Sequence, residues 1–321
     1  MSLGYKQSQD LSTKILLTNQ RIFDWYMHNN GNVYVAFSGG KDSTVLLDLV
    51  RKQFPDVPAV FVDTGLEFPE IREFVKTVDN VVWIKPKISF KKILEKYGYP
   101  VISKKISMGV SRYRNTRSAL QKELRKHGGI NPTSGKKQYQ SISNKWHFLI
   151  DAPFRISDEC CNVLKKAPFK RYEKQNDATP FIGIMASESN LRQQNYYKYG
   201  CNAYDMIHPQ SRPIIFWREN DIWDYIKKND LKYSKIYNMG YERTGCMFCM
   251  YGLNREEKGN TRFDKMKVTH PKQYNYCMNK LGLKDVIDFI DTMGVEDLQT
   301  TVTDIVKLNK PTTAVMVGGM V

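Results

Sequence analysis

Short apolar runs alternate with amphipathic segments along the first hundred residues. The apolar runs cover residues 33–37, 58–63 and 81–84. Each precedes a segment with helical spacing of apolar positions, starting at Thr44, Glu70 and Ser89 respectively. Strands that are apolar on both faces and alternate with helices are typical of a parallel sheet covered on both sides. The pattern therefore predicts an α/β fold.

The rest of the chain follows this pattern less regularly. Helices are predicted over residues 10–28, 112–127 and 219–228, and strands over residues 181–186 and 213–216. We expect an N-terminal helix in residues 1–30 and an α/β domain in residues 31–251. Residues 103–150 interrupt that domain as an insertion, and residues 252–321 form a helical C-terminal extension.

A glycine-containing loop joins the first predicted strand to its helix. Its residues are Ser38, Gly39, Gly40, Lys41, Asp42 and Ser43. Two glycines allow a close backbone approach to a ligand, and a helix N-terminus attracts anions. A lysine charge and two hydroxyl groups add to these donors. The loop is a candidate phosphate cradle, although it lacks the spacing of a Walker A motif.

Two further polar groups lie at predicted strand ends. Asp63, Thr64 and Gly65 follow the second strand, and Arg192 comes shortly after the strand at residues 181–186. Ligands of parallel sheets bind beyond the carboxyl ends of the strands. We therefore expect Asp63 to lie near the loop and Arg192 to clamp an anionic group, with a plain surface arginine as the alternative.

The formal net charge of +16 favours anionic partners. Residues 103–150 hold eleven Lys or Arg and one acidic residue, Glu123, so about ten of the net charges lie in this insertion. Aromatic residues such as Tyr113 and Trp146 accompany them. Basic and aromatic side chains together suit nucleic acid binding, and they equally suit a solvated surface loop.

Four of the six cysteines form two close pairs in the sequence. Cys160 and Cys161 are adjacent, and Cys246 and Cys249 form a C-x-x-C pair. Four thiolates can bind zinc or an iron–sulfur cluster. Adjacent cysteines bind one small ion awkwardly, whereas separate irons of a cluster can each take one of them. The pattern favours a [4Fe–4S] cluster over zinc, and buried structural thiols are the third interpretation.

No apolar run reaches the ~18 residues of a membrane span. The first residues lack the apolar core of a signal peptide. From these two features we expect a cytoplasmic protein that does not interact with membranes.

Together these motifs resemble the phosphoadenosine phosphosulfate reductase family. The matching stretches occur in the family's order: the Ser38–Ser43 loop, residues 62–69, the Cys160-Cys161 pair with Lys165, residues 183–192 and residues 245–249. The paired cysteines resemble the [4Fe–4S] signature of the adenylyl-sulfate reductases. The resemblance implies the adenine nucleotide α-hydrolase fold, a twisted parallel sheet between helices.

Two features differ from the reductases of that family. They carry a catalytic cysteine in a C-terminal tail, whereas no cysteine follows Cys277 here. Their loops also lack the lysine found here as Lys41, which is useful where a pyrophosphate must be held. In both respects the chain is similar to the family members that use ATP, including the iron–sulfur ATP pyrophosphatases.

The resemblance implies an enzyme that binds ATP–Mg²⁺, cleaves the bond between the α and β phosphates and adenylates an acceptor. Sulfur transfer through the cluster would follow, with a sulfur donor protein and a nucleic acid acceptor as candidate partners. Lys41, Asp42, Lys165 and Arg192 are the expected catalytic residues, with Lys165 and Arg192 facing the substrate anion. Asp42 or Asp63 is expected to hold Mg²⁺ or orient the nucleotide, and the cluster ligands are expected to be Cys160, Cys161, Cys246 and Cys249.

Two other functions are compatible with the same sequence. The first is a reductase of adenylyl sulfate or phosphoadenylyl sulfate that uses an external thiol. The second is a non-catalytic nucleic-acid-binding module that keeps the fold and uses the basic insertion.

Overall fold

Six short strands form the main sheet of the protein. The computed structural model describes residues 2–138 and 141–294. Its strands are β1 (Val33–Ala36), β2 (Ala59–Val62), β3 (Val81–Ile84), β4 (Val101–Ile102), β5 (Gly129–Ile130), β6 (Lys137–Gln138), β7 (Thr179–Ile182), β8 (Asn202–Ala203), β9 (Gln210–Ser211) and β10 (Met250–Tyr251). The main sheet has the order β3-β2-β1-β7-β9-β8. Its pairs are parallel except for β8 and β9, so the predicted mostly parallel sheet is confirmed.

Helices connect and flank these strands. The α-helices are α1 (Leu3–Ser8), α2 (Leu11–His28), α3 (Lys41–Gln53), α4 (Pro69–Lys76), α5 (Phe90–Tyr97), α6 (Lys104–Asn115), α7 (Ala119–His127), α8 (Glu159–Cys161), α9 (Ala167–Asn176), α10 (Asn190–Tyr199), α11 (Glu219–Lys228), α12 (Arg262–Thr269) and α13 (Pro271–Asn275). Residues 283–294 are also helical. Short 3₁₀ helices cover Asn144–Ile150, Ala186–Glu188, Lys235–Met239 and Leu253–Arg255, and π turns cover Asn162–Lys166 and Tyr276–Lys280.

The core lies around the central strand pair. Val35 of β1 is opposite Ala59 of β2 on one side and Phe181 of β7 on the other, and all three are fully buried. Side chains of α3 such as Leu46 and Val50 are equally buried. Each buried aliphatic side chain of this size contributes roughly 1.5–3 kcal/mol to stability. This burial explains why the strands are apolar on both faces.

The strand order creates a switch point beside β1. From β1 the chain adds β2 and β3 on one side, whereas β7 and β9 lie on the other side. In open sheets of this kind, ligands bind beside such a switch point, outside the carboxyl ends of the strands. The glycine-containing loop follows β1 at this edge.

Two predicted elements were wrong, and the strand predicted over residues 181–186 is displaced to Thr179–Ile182. Residues 213–216 form a buried turn, and the adjacent strand is Gln210–Ser211. A short, continuously apolar run does not by itself distinguish a strand from another buried segment. The helix predicted over residues 112–127 is two helices, because Thr116 is extended and Ser118 begins a new helix by accepting a hydrogen bond from Gln121 N–H.

The chain divides into two compact units. The first comprises Met1–Ile93 and Glu159–Cys249, and it contains the main sheet. The second comprises Leu94–Asp158 and Met250–Val321. The basic insertion belongs to the second unit, as does the C-terminal extension, which is helical up to residue 294. The rest of that predicted extension, residues 295–321, lies outside the described residues.

Within residues 2–138 and 141–294, no helix combines the length and the apolar character needed to cross a bilayer.

Candidate functional site

The loop after β1 is closed by its own hydroxyl groups. Ser43 Oγ accepts a hydrogen bond from Ser38 N–H at 3.2 Å, and it lies 3.1 Å from Ser38 Oγ. Gly40 is the N-cap of α3, so the helix begins at Lys41 rather than at the predicted Thr44. The first N–H groups of this 13-residue helix therefore lie at the carboxyl edge of the sheet.

Gly39 has a backbone conformation that suits glycine alone. Its φ angle is +71°, in the left-handed region. A Cβ atom there would lie 2.7 Å from Val75 Cγ2 and 2.8 Å from Ile71 Cγ2. The tight turn of the loop against α4 thus requires the absence of a side chain.

The ammonium group of Lys41 is buried between two carboxylates. The residue is 4% exposed. Its Nζ lies 3.1 Å from Asp42 Oδ1 and 3.1 Å from Glu219 Oε1. Burial lowers the pKa of Lys41, but the two carboxylates outweigh this effect and raise the pKa above its ordinary value. Lys41 therefore carries a permanent positive charge at the start of α3.

Asp42 and Arg192 interact electrostatically beside the loop. Burial raises the pKa of the Asp42 carboxyl, and the charges of Lys41 and Arg192 oppose that rise. Burial lowers the pKa of the Arg192 guanidinium. Arg192 also forms an ion pair with Glu188, and the positive charge of Arg243 lowers the pKa of the Arg192 guanidinium further. The predicted arginine thus lies with the loop residues.

The residues after β2 form a hydrogen-bonded turn. Asp63 is buried, and its two carboxylate oxygens accept hydrogen bonds from Arg72 at 2.9 Å and from Gly65 N–H at 3.3 Å. Glu67 accepts hydrogen bonds from the hydroxyl and the N–H group of Thr64, at 2.7 and 3.0 Å. This turn fixes the Asp63 carboxylate at the end of the strand.

The four paired cysteines interact with one another in the first unit. None of the six cysteines, all of which lie within the described residues, forms a disulfide. Burial is the main cause that raises the pKa of the Cys160 thiol, and the nearby sulfurs of Cys161, Cys246 and Cys249 raise it further. Burial also raises the pKa of the Cys246 thiol, to about 11. The two pairs, more than eighty residues apart in sequence, therefore lie together in the fold.

Lys165 lies against these thiols. Its side chain is hydrogen-bonded to Cys246, and its pKa is raised by the Cys246 sulfur and by the Glu67 carboxylate. Lys165 lies within the π turn Asn162–Lys166, which directly follows the adjacent cysteines. Lys165 and Arg192 thus have different neighbours, the thiols and the loop respectively.

One stretch of chain connects the loop with the cysteines. Lys41 N–H donates a hydrogen bond to the Tyr237 hydroxyl at 2.8 Å, and that hydroxyl lies 3.2 Å from Thr244 Oγ1. Two residues later the C-x-x-C pair begins, and Met247 N–H donates to the Leu66 carbonyl at 2.8 Å. Residues 237–249 therefore contact the loop at one end and the turn after β2 at the other.

Four polar residues of the site were not predicted from the sequence: Glu67, Glu219, Tyr237 and Thr244. Glu219 and Tyr237 contact Lys41 across 178 (219 − 41) and 196 (237 − 41) residues of chain, so no local pattern reveals them. The only available signal was position: Glu67 belongs to the matching stretch after β2, and Thr244 comes just before the C-x-x-C pair.

Comparison with known families gives an independent assignment. The model of the phosphoadenosine phosphosulfate reductase domain matches residues 32–251, about two thirds of the chain. The chain belongs to this family. The resemblance stated from the motifs is thereby confirmed, and the match spans β1, the loop, both cysteine pairs and Arg192.

Curated relatives of this family member include proteins of unknown and of known activity. An uncharacterised protein of Methanocaldococcus jannaschii is 26% identical over 85% of this chain and 53% of its own length. A second one from the same organism is 28% identical over 68% of this chain and 36% of its own length. The chain thus spans about half and about a third of these relatives. Adenosine 5'-phosphosulfate reductase 2 of Bacillus subtilis is 25% identical over 74% of this chain and 80% of its own length.

Solved structures with a similar chain fold include phosphoadenylyl-sulfate reductase from Candida auris. It has a TM-score of 0.42 at 16% identity and covers 71% of this chain and 87% of its own. The U34-tRNA thiolase NcsA from Methanococcus maripaludis was solved with its [4Fe–4S] cluster. It has a TM-score of 0.36 at 15% identity and covers 84% of this chain and 79% of its own.

The four paired cysteines of this family member are candidate ligands of an iron–sulfur cluster or of a zinc ion. Four thiols and no imidazole suit iron–sulfur ligation. One tetrahedral zinc ion needs its donors within about 2.3 Å of a single point. In the part of the chain that the structure describes, no three His, Cys, Asp or Glu side chains are grouped closely enough to hold a metal ion. The metal role of the four cysteines stays a prediction.

Proposed function

We propose that the protein is an ATP pyrophosphatase-type enzyme that adenylates an acceptor. The observation that carries this proposal is the buried Lys41 ammonium at the start of α3. A permanent cation beside helix N–H groups suits the multiply charged pyrophosphate portion of ATP. A sulfonucleotide ends in a sulfate at the corresponding position and carries less charge there.

The proposed reaction is a displacement at the α phosphorus. An acceptor oxygen forms a bond to that phosphorus, the bond to the α–β bridging oxygen breaks, and pyrophosphate leaves with the electron pair. Ser38, Gly39, Gly40, Lys41 and Ser43 would bind the leaving group. Stabilising its developing charge is the main catalytic contribution in this chemistry.

Two carboxylates are available for the magnesium ion that accompanies ATP. Oxygen ligands are those that Mg²⁺ prefers. Asp42 is the stronger candidate, because both oxygens of Asp63 already accept hydrogen bonds, from Arg72 and Gly65. Thr64 and Gly65 would then border the nucleotide, which is consistent with their fixed turn.

The cysteines support a link to sulfur transfer. Cys160, Cys161, Cys246 and Cys249 would hold a [4Fe–4S] cluster. Because each iron would then carry one thiolate, the cluster would position the sulfur donor rather than bind a sulfur atom at an open iron site. Lys165 supports this assignment, because its ammonium lies against Cys246 and compensates the negative charge that thiolate ligands bring. The acceptor class that the net charge of +16 favours is nucleic acid. A protein that delivers sulfur would complete the reaction.

Replacement of Lys41 tests the proposal. Lys41→Ala should lower pyrophosphate release from ATP–Mg²⁺ by roughly 100-fold or more, which is the usual cost of removing a group that stabilises developing charge. Its iron content should be unchanged. Lys52→Ala, on the same helix but with a half-exposed side chain, is the matched control and should keep wild-type turnover. Unchanged turnover in Lys41→Ala would refute the role of the loop.

A second candidate function is reduction of a sulfonucleotide with an external thiol. The similarity to adenosine 5'-phosphosulfate reductase 2 of Bacillus subtilis favours it. A thermal shift assay on anaerobic protein separates the two candidates. Stabilisation by ATP–Mg²⁺ alone supports the pyrophosphatase, whereas stabilisation by adenylyl sulfate alone supports the reductase.

A further inference from the structure

A cleft of about 240 Å³ lies beside the edge strand β8, apart from the site described above. It is lined by Lys6, Arg21, Gly200, Cys201, Asn202 and Tyr204. Lys6 belongs to α1, Arg21 to α2, and Gly200 is the C-cap of α10. None of these residues belongs to the loop, the turn after β2 or the two cysteine pairs.

Lys6 is a buried cation without a carboxylate. It is 9% exposed. Its Nζ lies 5.6 Å from the ring centre of Tyr196 and 5.5 Å from that of Phe216. No acidic side chain in residues 2–138 or 141–294 forms an ion pair with it. Aromatic faces offset part of the cost of burying an ammonium group, but buried lysines are normally paired with an anion.

Arg212 adds a second buried cation behind the cleft. It is 1% exposed, and one of its terminal nitrogens donates to the Gly200 carbonyl at 3.0 Å. Its Nε has no hydrogen-bond partner among the described residues, and no described carboxylate pairs with its guanidinium. Its charge, together with those of Lys6 and Arg21, acts on Cys201 at the cleft wall.

The charge of this region is not balanced by the protein. Arg21 forms an ion pair with Asp24 at 3.0 Å. Asp24 is thus the one described carboxylate that pairs with any of the three cations Lys6, Arg21 and Arg212. Cys201 does not supply the missing anion, since burial raises the pKa of its thiol and keeps it protonated at neutral pH. An uncompensated buried charge is strongly unfavourable, and a bound anion would remove that cost.

We propose that the cleft binds a tetrahedral oxyanion, a sulfate or a phosphate group, between Lys6 and Arg21. These cations come from two different helices, and Arg212 adds its charge from behind the strand. An anion with oxygens on every side can contact both lining cations at once. The volume admits a free ion or the terminal group of a monoester.

Isothermal titration of the full chain tests this site at constant ionic strength set with chloride. Sulfate, phosphate and glycerol 3-phosphate are titrated separately. Binding of the free ions supports a free oxyanion as ligand, and binding of the ester alone supports an esterified one. Absence of binding by all three overturns the proposal.

Two variants locate the bound anion. Lys6→Met keeps an apolar chain against Tyr196 and Phe216, and it should weaken binding at least tenfold. Lys198→Met is the matched control, because this exposed lysine also lies over a tyrosine ring, 4.9 Å from the centre of Tyr199, but does not line the cleft. Arg21→Gln, at a partly exposed side chain, replaces Lys6→Met if the latter does not fold. Equal affinity in the cleft variant and the control overturns the proposal.

The phosphate loop is the other place where these anions can bind. Titration of Lys41→Ala separates the two sites, because that substitution leaves the cleft intact. Persistent binding with the same affinity supports the cleft. Loss of binding in Lys41→Ala assigns the anion to the loop and overturns the inference, while the proposed ATP chemistry is unaffected.

Discussion

At the scale of single residues, the backbone of the loop is set by packing as much as by its ligand chemistry. Gly39 has a left-handed conformation and lies against two branched side chains of α4. Val75 and Ile71 cannot easily move, because β-branched side chains have few rotamers and both are buried. The loop therefore has its shape before any anion binds.

Alanine substitutions at Gly39 and Gly65 should distinguish the cost of a left-handed backbone from the cost of a steric clash at the added Cβ. Gly39→Ala should reduce the free energy of unfolding by about 2–5 kcal/mol, the sum of a left-handed alanine and an overpacked contact. Gly65→Ala is the control, since Gly65 has a similar φ of +76° but no atom within 4 Å of the position that a Cβ would take. It should cost only about 1–2 kcal/mol. Urea denaturation measures both values, and equal losses would contradict the packing argument.

Residues that are contiguous in the sequence could be predicted as site residues, whereas residues that meet only through folding could not. The loop residues, Asp63 and the cysteines were predicted because each set is contiguous or has a recognisable spacing. Tyr237 and Glu219 were not, because their contacts with Lys41 depend on how the chain folds back. The observed neighbours of Lys165 and Arg192, which are Cys246 and Asp42 respectively, likewise depend on tertiary structure.

At the scale of elements, the helix that carries the adjacent cysteines is irregular for a definable reason. α8 and α9 are continuous through the π turn Asn162–Lys166, where Ala167 N–H donates to the Asn162 carbonyl. The next residue, Pro168, has no N–H group for the Leu164 carbonyl. The wide turn accommodates this missing hydrogen bond and sets the direction of Lys165 relative to Cys161.

Removing the proline should therefore affect the cysteine site. Pro168→Ala restores the N–H group and should favour a regular helix, which rotates Lys165 away from Cys246. We expect a lower iron and acid-labile sulfide content in anaerobically reconstituted protein. Pro69→Ala is the control, because a proline in the first turn of a helix replaces no intrahelical hydrogen bond. Full iron content in Pro168→Ala would show that the π turn does not depend on the proline.

The elements also explain which parts of the fold were predictable. β3 was predicted with its observed bounds, and the helix predicted over residues 10–28 is α2, whose N-cap Asp10 accepts a hydrogen bond from Thr13 N–H. Local signals of this kind suffice for parallel strands and capped helices. The buried turn at residues 213–216 lacked such a signal, because its apolar side chains are required by the core rather than by a strand.

At the scale of the whole molecule, positive charge is concentrated in the second unit. Burial is the main cause that lowers the pKa of Arg125, and the charge of Arg112 lowers it further, so like charges face each other across α6 and α7. Like charges at close range favour a polyanionic partner, which would relieve their repulsion. This is the part of the molecule where we expect a nucleic acid acceptor to bind.

Salt dependence of RNA binding tests that expectation. Replacing three exposed cations of the insertion, Lys105, Arg112 and Arg117, by glutamine should weaken binding of single-stranded RNA. Each phosphate contact with single-stranded RNA contributes about 0.7 to the slope of log affinity against log salt concentration. The loss of three contacts should therefore reduce the steepness of that slope by about 2. Fluorescence anisotropy between low and moderate salt measures the slope.

The matched control changes the same net charge in the first unit. Lys227, Lys228 and Lys232 are exposed near the end of α11 and beyond it. Their replacement by glutamine should leave the slope nearly unchanged. Equal effects of the two triple variants would mean that binding follows the total charge and not the insertion.

The strand order has a consequence for the synthesis of the protein in the cell. β1 needs β7 beside it, and Val33 is paired with Thr179, 146 residues further along the chain (179 − 33). At about 5–20 residues per second, a ribosome takes roughly 7–30 s to cover that distance. During this interval one edge of the most central strand has no neighbour and can pair with another nascent chain. Lower growth temperatures and chaperones that shield nascent strands should therefore raise the yield of native protein.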